Sequence, residues 1–168
     1  MRTAVFLRGI NVGGNAKIGM ADLRKALEAQ GHGDVKTLLQ SGNVVVDKVT
    51  PAAMEKLILD EFGLQVRVMT RTHAQLRKLI EANPFPEHED EPAKLGVAFL
   101  DVAPGKGAID VKRYEPDEFR VVGKEIYLWF PNGMGRSKIG DGPFLKALGA
   151  AMTVRNWNTV TKMAELTA

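Results

Sequence analysis

Cysteine is absent from the 168-residue chain, which removes disulfides, thiolate metal sites and cysteine nucleophiles from consideration. Histidine is scarce. The three present, His32, His73 and His88, fall at a helix end, in a helix's first turn and in an acidic segment, with no paired metal-ligand spacing such as His-Glu-x-x-His, and read as surface residues. Serine occurs only at Ser41 and Ser137, and neither stands in the Gly-x-Ser-x-Gly elbow of a serine hydrolase. Long apolar runs are missing too: none approaches the roughly 20 residues that span a bilayer. The N-terminus lacks the charged, apolar, small-residue progression of a signal peptide. These absences predict a cytoplasmic protein with no metal, no cofactor and no membrane partner, and they set no oligomeric state.

A strong charge of one sign is lacking as well. Against 20 Asp and Glu stand 23 Lys and Arg, for a formal charge of +3. The basic residues are interspersed with acids, as in Arg24-Lys25 with Glu28, which describes solvated helix faces better than a polyanion-binding patch. The apolar fraction, 45%, is enough to build a real core in one compact domain or two small fused halves.

The order of elements is legible. Thr3 to Leu7 is an apolar strand that delivers Arg8 into a glycine-rich loop through Asn15, and a helix opens near Met20, with Met20, Leu23, Ala26 and Leu27 on one face and Gly31 beyond its end. Short strands at Val35 to Leu39 and Asn43 to Val46 flank the turn Gln40-Ser41-Gly42. Thr50-Pro51 caps a second helix that ends near Phe62-Gly63. Gln65 to Met69 alternates as a half-buried strand does. Thr72-His73-Ala74-Gln75 forms a capping box for a third helix, stopped by Asn83-Pro84.

Residues 83–94 contain prolines and the run Glu87, Glu89, Asp90 and Glu91, and predict an acidic linker between halves 1–82 and 95–168. The second half shows strands at Leu95 to Asp101, Phe119 to Val122 and Glu125 to Phe130, with a short helix or turn near Gly107 to Val111. Helices follow at Pro143 to Leu148 and from about Asn156 to Leu166. The expected architecture is α+β: two ferredoxin-like βαββαβ-type halves with mostly antiparallel sheets.

Four polar constellations are candidates for binding, the turn Gln40-Ser41-Gly42-Asn43 and three more. In the first loop, Gly9, Gly13 and Gly14 leave backbone N–H groups uncovered while Arg8 stands at the rim, a physically reasonable anion seat. The same loop fails the dinucleotide fingerprint, and for Arg8 and Asn11 a structural role in tying the loop down is as good a reading as binding. The second is Asn132-Gly133-Met134-Gly135-Arg136-Ser137-Lys138, which has two cations and a hydroxyl but not the phosphate-loop pattern of a nucleotide triphosphatase. The third, Thr153 to Thr159, puts Arg155, Asn156 and Asn158 at a helix start, where the dipole favours a negative ligand. Simple capping by Thr153 or Asn156, with Trp157 in the core, is its alternative. Tyr127 and Trp129 share a strand face, either buried or, with Lys124 and Arg136, a stacking platform for bases. Asp141 is a candidate general acid or base.

Leu7-Arg8-Gly9-Ile10-Asn11-Val12-Gly13-Gly14, Gln40-Ser41-Gly42-Asn43-Val44-Val45 and Thr153 to Val160 together resemble the bacterial family of domain-of-unknown-function 1697, which also shows the Gly135-Arg136-Ser137-Lys138 neighbourhood in similar form. The resemblance spans nearly the whole chain. It implies a cytoplasmic α+β protein of ferredoxin-like units, and it falls on Arg8, Gly9, Asn11, Gly13, Gly14, Gln40, Ser41, Asn43, Ser137, Lys138, Arg155, Asn156, Trp157 and Asn158. The functional expectation is that the glycine loop, the Gln40 turn and the Arg155 helix start converge on one cleft for a small anionic ligand, a phosphate-bearing metabolite or nucleotide, with Arg8 and Arg155 recognising the charge and Asn11, Asn43 and Asn158 supplying hydrogen bonds; an RNA or single-stranded DNA module is the alternative.

Overall fold

The computed structural model describes residues 2–11, 17–39 and 41–168, which form two compact units, residues 1–80 with 162–168 and residues 81–161. The first unit runs β1 (Thr3–Leu7), α1 (Met20–Ala29), β2 (Lys36–Leu38), β3 (Asn43–Val46), α2 (Pro51–Phe62), β4 (Val68–Thr72) and α3 (His73–Glu81). Its strands stand in the order β2-β3-β1-β4, every neighbouring pair antiparallel. A helix between β1 and β2 lets those two strands run the same way with β3 inserted between them, which is how a split β-α-β unit builds an antiparallel sheet.

Sequence dictates most of these boundaries. Thr50 accepts the Ala53 N–H at 3.1 Å, Pro51 opens the helix, and Gly63 closes it in the left-handed conformation, φ 68°. The capping box at α3 is reciprocal: Gln75 N–H donates to Thr72 Oγ1 at 3.1 Å, and Thr72 N–H donates to Gln75 Oε1 at 2.9 Å. Strand β4 lies three residues later than the alternation at Gln65 to Met69 predicts, because the partner strand sets its limits: Leu7 faces Val68 and Thr3 faces Thr72. Val5, Leu7, Val44, Val46 and Val68 pack with Leu23, Leu27, Met54 and Ile58 of the helices. The alternate residues Ala4, Phe6, Val45 and Met69 are buried as well. A strand buried on both faces reads as an unbroken apolar run, and β1 does.

The second unit repeats the plan: β5 (Leu95–Leu100), α4 (Val111–Tyr114), β6 (Glu118–Val122), β7 (Glu125–Trp129), α5 (Gly142–Leu148), β8 (Met152–Asn156) and the start of α6 (Trp157–Leu166). Strand order is β6-β7-β5-β8, again antiparallel throughout. Strand β8 escapes the sequence reading, which sees only a helix start there. Asn156 closes the strand and also caps the helix, so strand and cap signals overlap in five residues. The core of this unit gathers Ala98, Leu100, Ile126, Leu128, Phe144 and Leu148, with Tyr114, Phe119 and Phe144 meeting edge to face at centroid separations of 5.3 to 6.4 Å.

Two expectations need correction. Residues 83–94 do not run as a free linker but pack within the second unit: Phe85 is buried, Arg120 lies over its ring at 5.4 Å, and Trp157 N–H donates to Pro92 O at 3.3 Å. The ring of His88 stacks on Trp129 with centroids 3.6 Å apart and planes 5° apart, so this histidine is not a simple surface residue. The apolar and aromatic members of an otherwise acidic segment decide its packing. The last residues of the chain belong to the first unit, where His73 Nδ1 lies 2.9 Å from Ala164 O and Arg2 donates to Leu166 O at 2.8 Å.

Candidate functional site

Gly13, Gly14 and Gln40 lie outside the described residues. Around them, the first unit uses its flagged residues largely to close loops. Leu7 N–H donates to Gly42 O at 2.9 Å and Arg8 N–H to Arg67 O at 3.0 Å, which joins the end of β1 to the turn before β3 and to the approach to β4. Asn11, at φ 56°, donates its amide to Ile18 O and accepts the Ile18 N–H, both at 2.9 Å. That clamp fastens the two ends of the glycine loop and gives Asn11 the tying role. Asn43 is fully buried, and its amide donates to Leu38 O at 2.8 Å and Ser41 Oγ at 3.1 Å. Arg8, Gly9 and Ser41 are exposed.

In the second unit, Arg155 is not at a helix start but inside β8, opposite Val97. Only 6% exposed, its guanidinium donates to Thr153 Oγ1 at 2.6 Å and to Val154 O at 2.9 Å. Burial pushes its pKa down to about 10, so it is charged at neutral pH. Asn156 accepts the Thr159 N–H at 3.0 Å, an N-cap, and Trp157 is buried. Asn158 is exposed on the first turn of α6. Tyr127 and Trp129 are buried, at 2% and 7% exposure, and neither offers an open ring face on which a base could stack. Burial, with the nearby Glu125 adding to it, pushes the Tyr127 hydroxyl up to about 12.

A cleft of about 120 Å³ opens between the α4–β6 segment, residues 113–117, and the loop residues Asn132, Arg136 and Lys138. The loop is the second constellation of the sequence, with Ser137 folding it: Ser137 Oγ accepts the Ile139 N–H at 3.0 Å. Gly133, at φ 90° and ψ 154°, takes a positive-φ extended conformation open to glycine, which leads the chain into the short 3-10 turn at Met134–Arg136. Arg136 and Lys138 are exposed, and neither side chain makes a hydrogen bond or ion pair among the described residues.

Arg113, which no sequence motif singles out, is held in place by an acid. Its Nε and one terminal nitrogen donate to Asp141 Oδ2 at 3.2 and 2.9 Å. The other oxygen, Oδ1, accepts the Tyr114 hydroxyl at 2.7 Å and the Phe144 N–H at 3.0 Å. Asp141 thus caps α5 and braces α4 in one stroke. The Tyr114 hydrogen bond, with the Phe144 amide and the Arg113 guanidinium, keeps its pKa below the ordinary carboxylate value against the opposing effect of desolvation. A carboxylate with four donors, held in its charged form, is a poor proton shuttle at neutral pH, and Asp141 is a structural residue here.

Asp117 completes the cleft. It is 8% exposed, its main-chain N–H donates to Tyr114 O at 2.9 Å, and its carboxylate has no hydrogen bond or ion pair among the described residues. The sequence gives little sign of it, since Glu115-Pro116-Asp117 reads as a solvated turn. The cleft therefore combines three cations, one amide and two carboxylates, Glu115 and Asp117.

No helix among the described residues is long and apolar enough to cross a membrane. Comparison with curated proteins gives no match. Among solved structures the chain is similar to the conserved bacterial protein SP0830 from Streptococcus pneumoniae, at 19% identity and a TM-score of 0.66, with 99% of this chain and 98% of that one covered. At that identity the likeness is one of fold. The family model of DUF1697, proteins of unknown function, matches residues 1–127, and the chain belongs to that family.

Proposed function

We propose that this chain binds a small anionic molecule, a phosphate-bearing metabolite or nucleotide, in the cleft lined by Arg113, Asn132, Arg136 and Lys138. One observation carries the reading: Arg136 and Lys138 line a shared cleft while neither pairs with an acid among the described residues. Cations that converge on a concave surface without acid partners gain more from an anion than the same residues would scattered over an open surface. Arg113 adds a guanidinium whose orientation Asp141 fixes in advance, so less side-chain freedom is lost on binding. Ser137 and Lys138, both marked by the sequence, belong to this cleft's loop.

Titration of the full chain with inorganic phosphate and with adenosine monophosphate, read by thermal unfolding and by calorimetry, tests the proposal. Binding to the folded state stabilises it by RT ln(1 + L/Kd) at ligand concentration L, so the melting temperature climbs with ligand concentration. Arg136→Ala and Lys138→Ala are each expected to weaken binding about fivefold, as loss of a partly exposed charge contact does. Affinity falls as salt is raised. Absence of binding by both compounds, or affinities unchanged in both variants, overturns it.

A further inference from the structure

Resting on the anion-binding reading of the cleft, we propose that its ligand is a zwitterion: beside the anionic group it carries an ammonium, and Asp117 receives that ammonium. Asp117 is more than nine-tenths buried and lines the same cleft as Arg136 and Lys138. Its carboxylate accepts no hydrogen bond and lies within ion-pair distance of no cation among the described residues. No fully buried side-chain oxygen of the described residues lacks a partner, so the oxygens of Asp117 must reach solvent, and the cleft is where the residue meets it.

The chemistry of that placement is specific. The Asp117 carboxylate takes no donor from the described residues while its oxygens reach solvent through a narrow opening, so it stands ready for a donor that a ligand brings. A cleft shaped for a bare anion would gain nothing from a buried negative charge on its wall, which repels phosphate. The same charge becomes favourable when the ligand brings a donor of its own, because an ammonium on a carboxylate makes a charge-assisted hydrogen bond. The lining accordingly carries both signs of charge, with Arg136 and Lys138 for the negative group and Asp117, beside the exposed Glu115, for the positive one. A volume of about 120 Å³ suits a compact molecule in which the two charges are separated by a short carbon chain. This selects against bare phosphate and against simple alkyl phosphates.

Two probes differing in one group decide the matter: phosphoethanolamine, and ethyl phosphate, which lacks the ammonium. Calorimetric titration of the full-length chain is expected to show about tenfold tighter binding of phosphoethanolamine, the size of one charge-assisted hydrogen bond. In Asp117→Asn, which preserves shape, the two probes bind alike. Asp117→Ser gives the same result if the amide disturbs folding, and circular dichroism verifies each variant. Equal affinity of the wild-type chain for both probes, or a preference that persists in the variants, overturns the zwitterion proposal and leaves anion binding standing. If neither probe binds at millimolar concentration, the zwitterion proposal falls, and the titrations with inorganic phosphate and adenosine monophosphate decide the anion-binding reading separately.

Discussion

Arg71 and Arg155 hold the same position in two separate sheets: each is the penultimate residue of its unit's last strand, and each donates to the carbonyl of the residue before it, Thr70 at 2.8 Å and Val154 at 2.9 Å. Both are buried, at 7% and 6% exposure. Arg71 faces Ala4 on β1 and Arg155 faces Val97 on β5. The residue that follows each arginine, Thr72 or Asn156, caps the next helix through its side chain. By the same register, Phe6 and Phe99 correspond, and both are fully buried. Shared element order, shared strand order and these matched residues describe one plan used twice.

The first consequence is that Arg155 matters to stability. Replacing Arg155 by Ala removes the buried cation and leaves Thr153 Oγ1 and Val154 O without the donor it supplies, at an expected cost of about 2 to 3 kcal/mol, read as a lower denaturant midpoint. Arg155→Lys recovers only part of this, because one terminal guanidinium nitrogen donates to both Thr153 Oγ1 and Val154 O, and the lysine side chain is an atom shorter. An unchanged midpoint in Arg155→Ala would remove the structural reading of this residue.

How much of this was legible in the sequence depends on the range over which each signal acts. Helix caps are local, so Thr50-Pro51, the Thr72–Gln75 box and Gly63 stand in the sequence as they stand in the fold. Strand β8 is set by pairing with β5, more than fifty residues away in the chain, and five residues of mixed polarity do not announce it. The polar motifs were visible as residues but not as roles. Asn11 and Asn43 are spent on Ile18, Leu38 and Ser41, while Asp117 and Arg113, which look like surface charge, line the cleft.

Gly42 tests the packing at the end of β1. At φ 93°, it leaves no room for a side chain: a Cβ would sit 2.8 Å from Ile10 Cδ1 and 2.9 Å from Leu7 Cβ. Gly42→Ala therefore combines backbone strain of about 1 kcal/mol with overpacking of about 1 to 3 kcal/mol. Chemical denaturation should show a loss of about 2 to 4 kcal/mol, and Gly9→Ala, where a Cβ meets nothing within 4 Å, should lose only the backbone part. Equal losses at the two positions would contradict the packing argument.

Asn11 separates clamp from conformation. Asn11→Ala loses both bonds to Ile18 and places alanine at φ 56°, for an expected cost of about 2 kcal/mol. Asn11→Gly loses the same bonds but fits that φ without strain, so its cost is smaller by about 1 kcal/mol. Amide hydrogen exchange at Ile18 is expected to quicken in both variants, because its N–H has lost its acceptor. Protection that survives in either would show that the clamp does not hold the loop.

Asp141 carries a dependence on pH whose sign follows from its lowered pKa. A carboxylate whose folded pKa lies below its unfolded one contributes stability above the unfolded value, near pH 4, and loses it as pH falls through the folded pKa. Asp141→Asn should therefore lower the melting temperature at neutral pH and flatten its decline below about pH 4. The amide oxygen still accepts from Tyr114 or Phe144, but it no longer pairs with the Arg113 guanidinium as an ion. Arg113, released from its brace, then presents a looser fork to the cleft, and phosphate affinity drops in step with the loss of order. Arg113→Lys in the wild-type background should lower affinity by a similar factor, since it too abolishes the fixed fork, while leaving the cap on Phe144 N–H and its share of the acid response intact. A pH profile for Asp141→Asn that parallels the wild type throughout would mean that the carboxylate is not held charged by these donors.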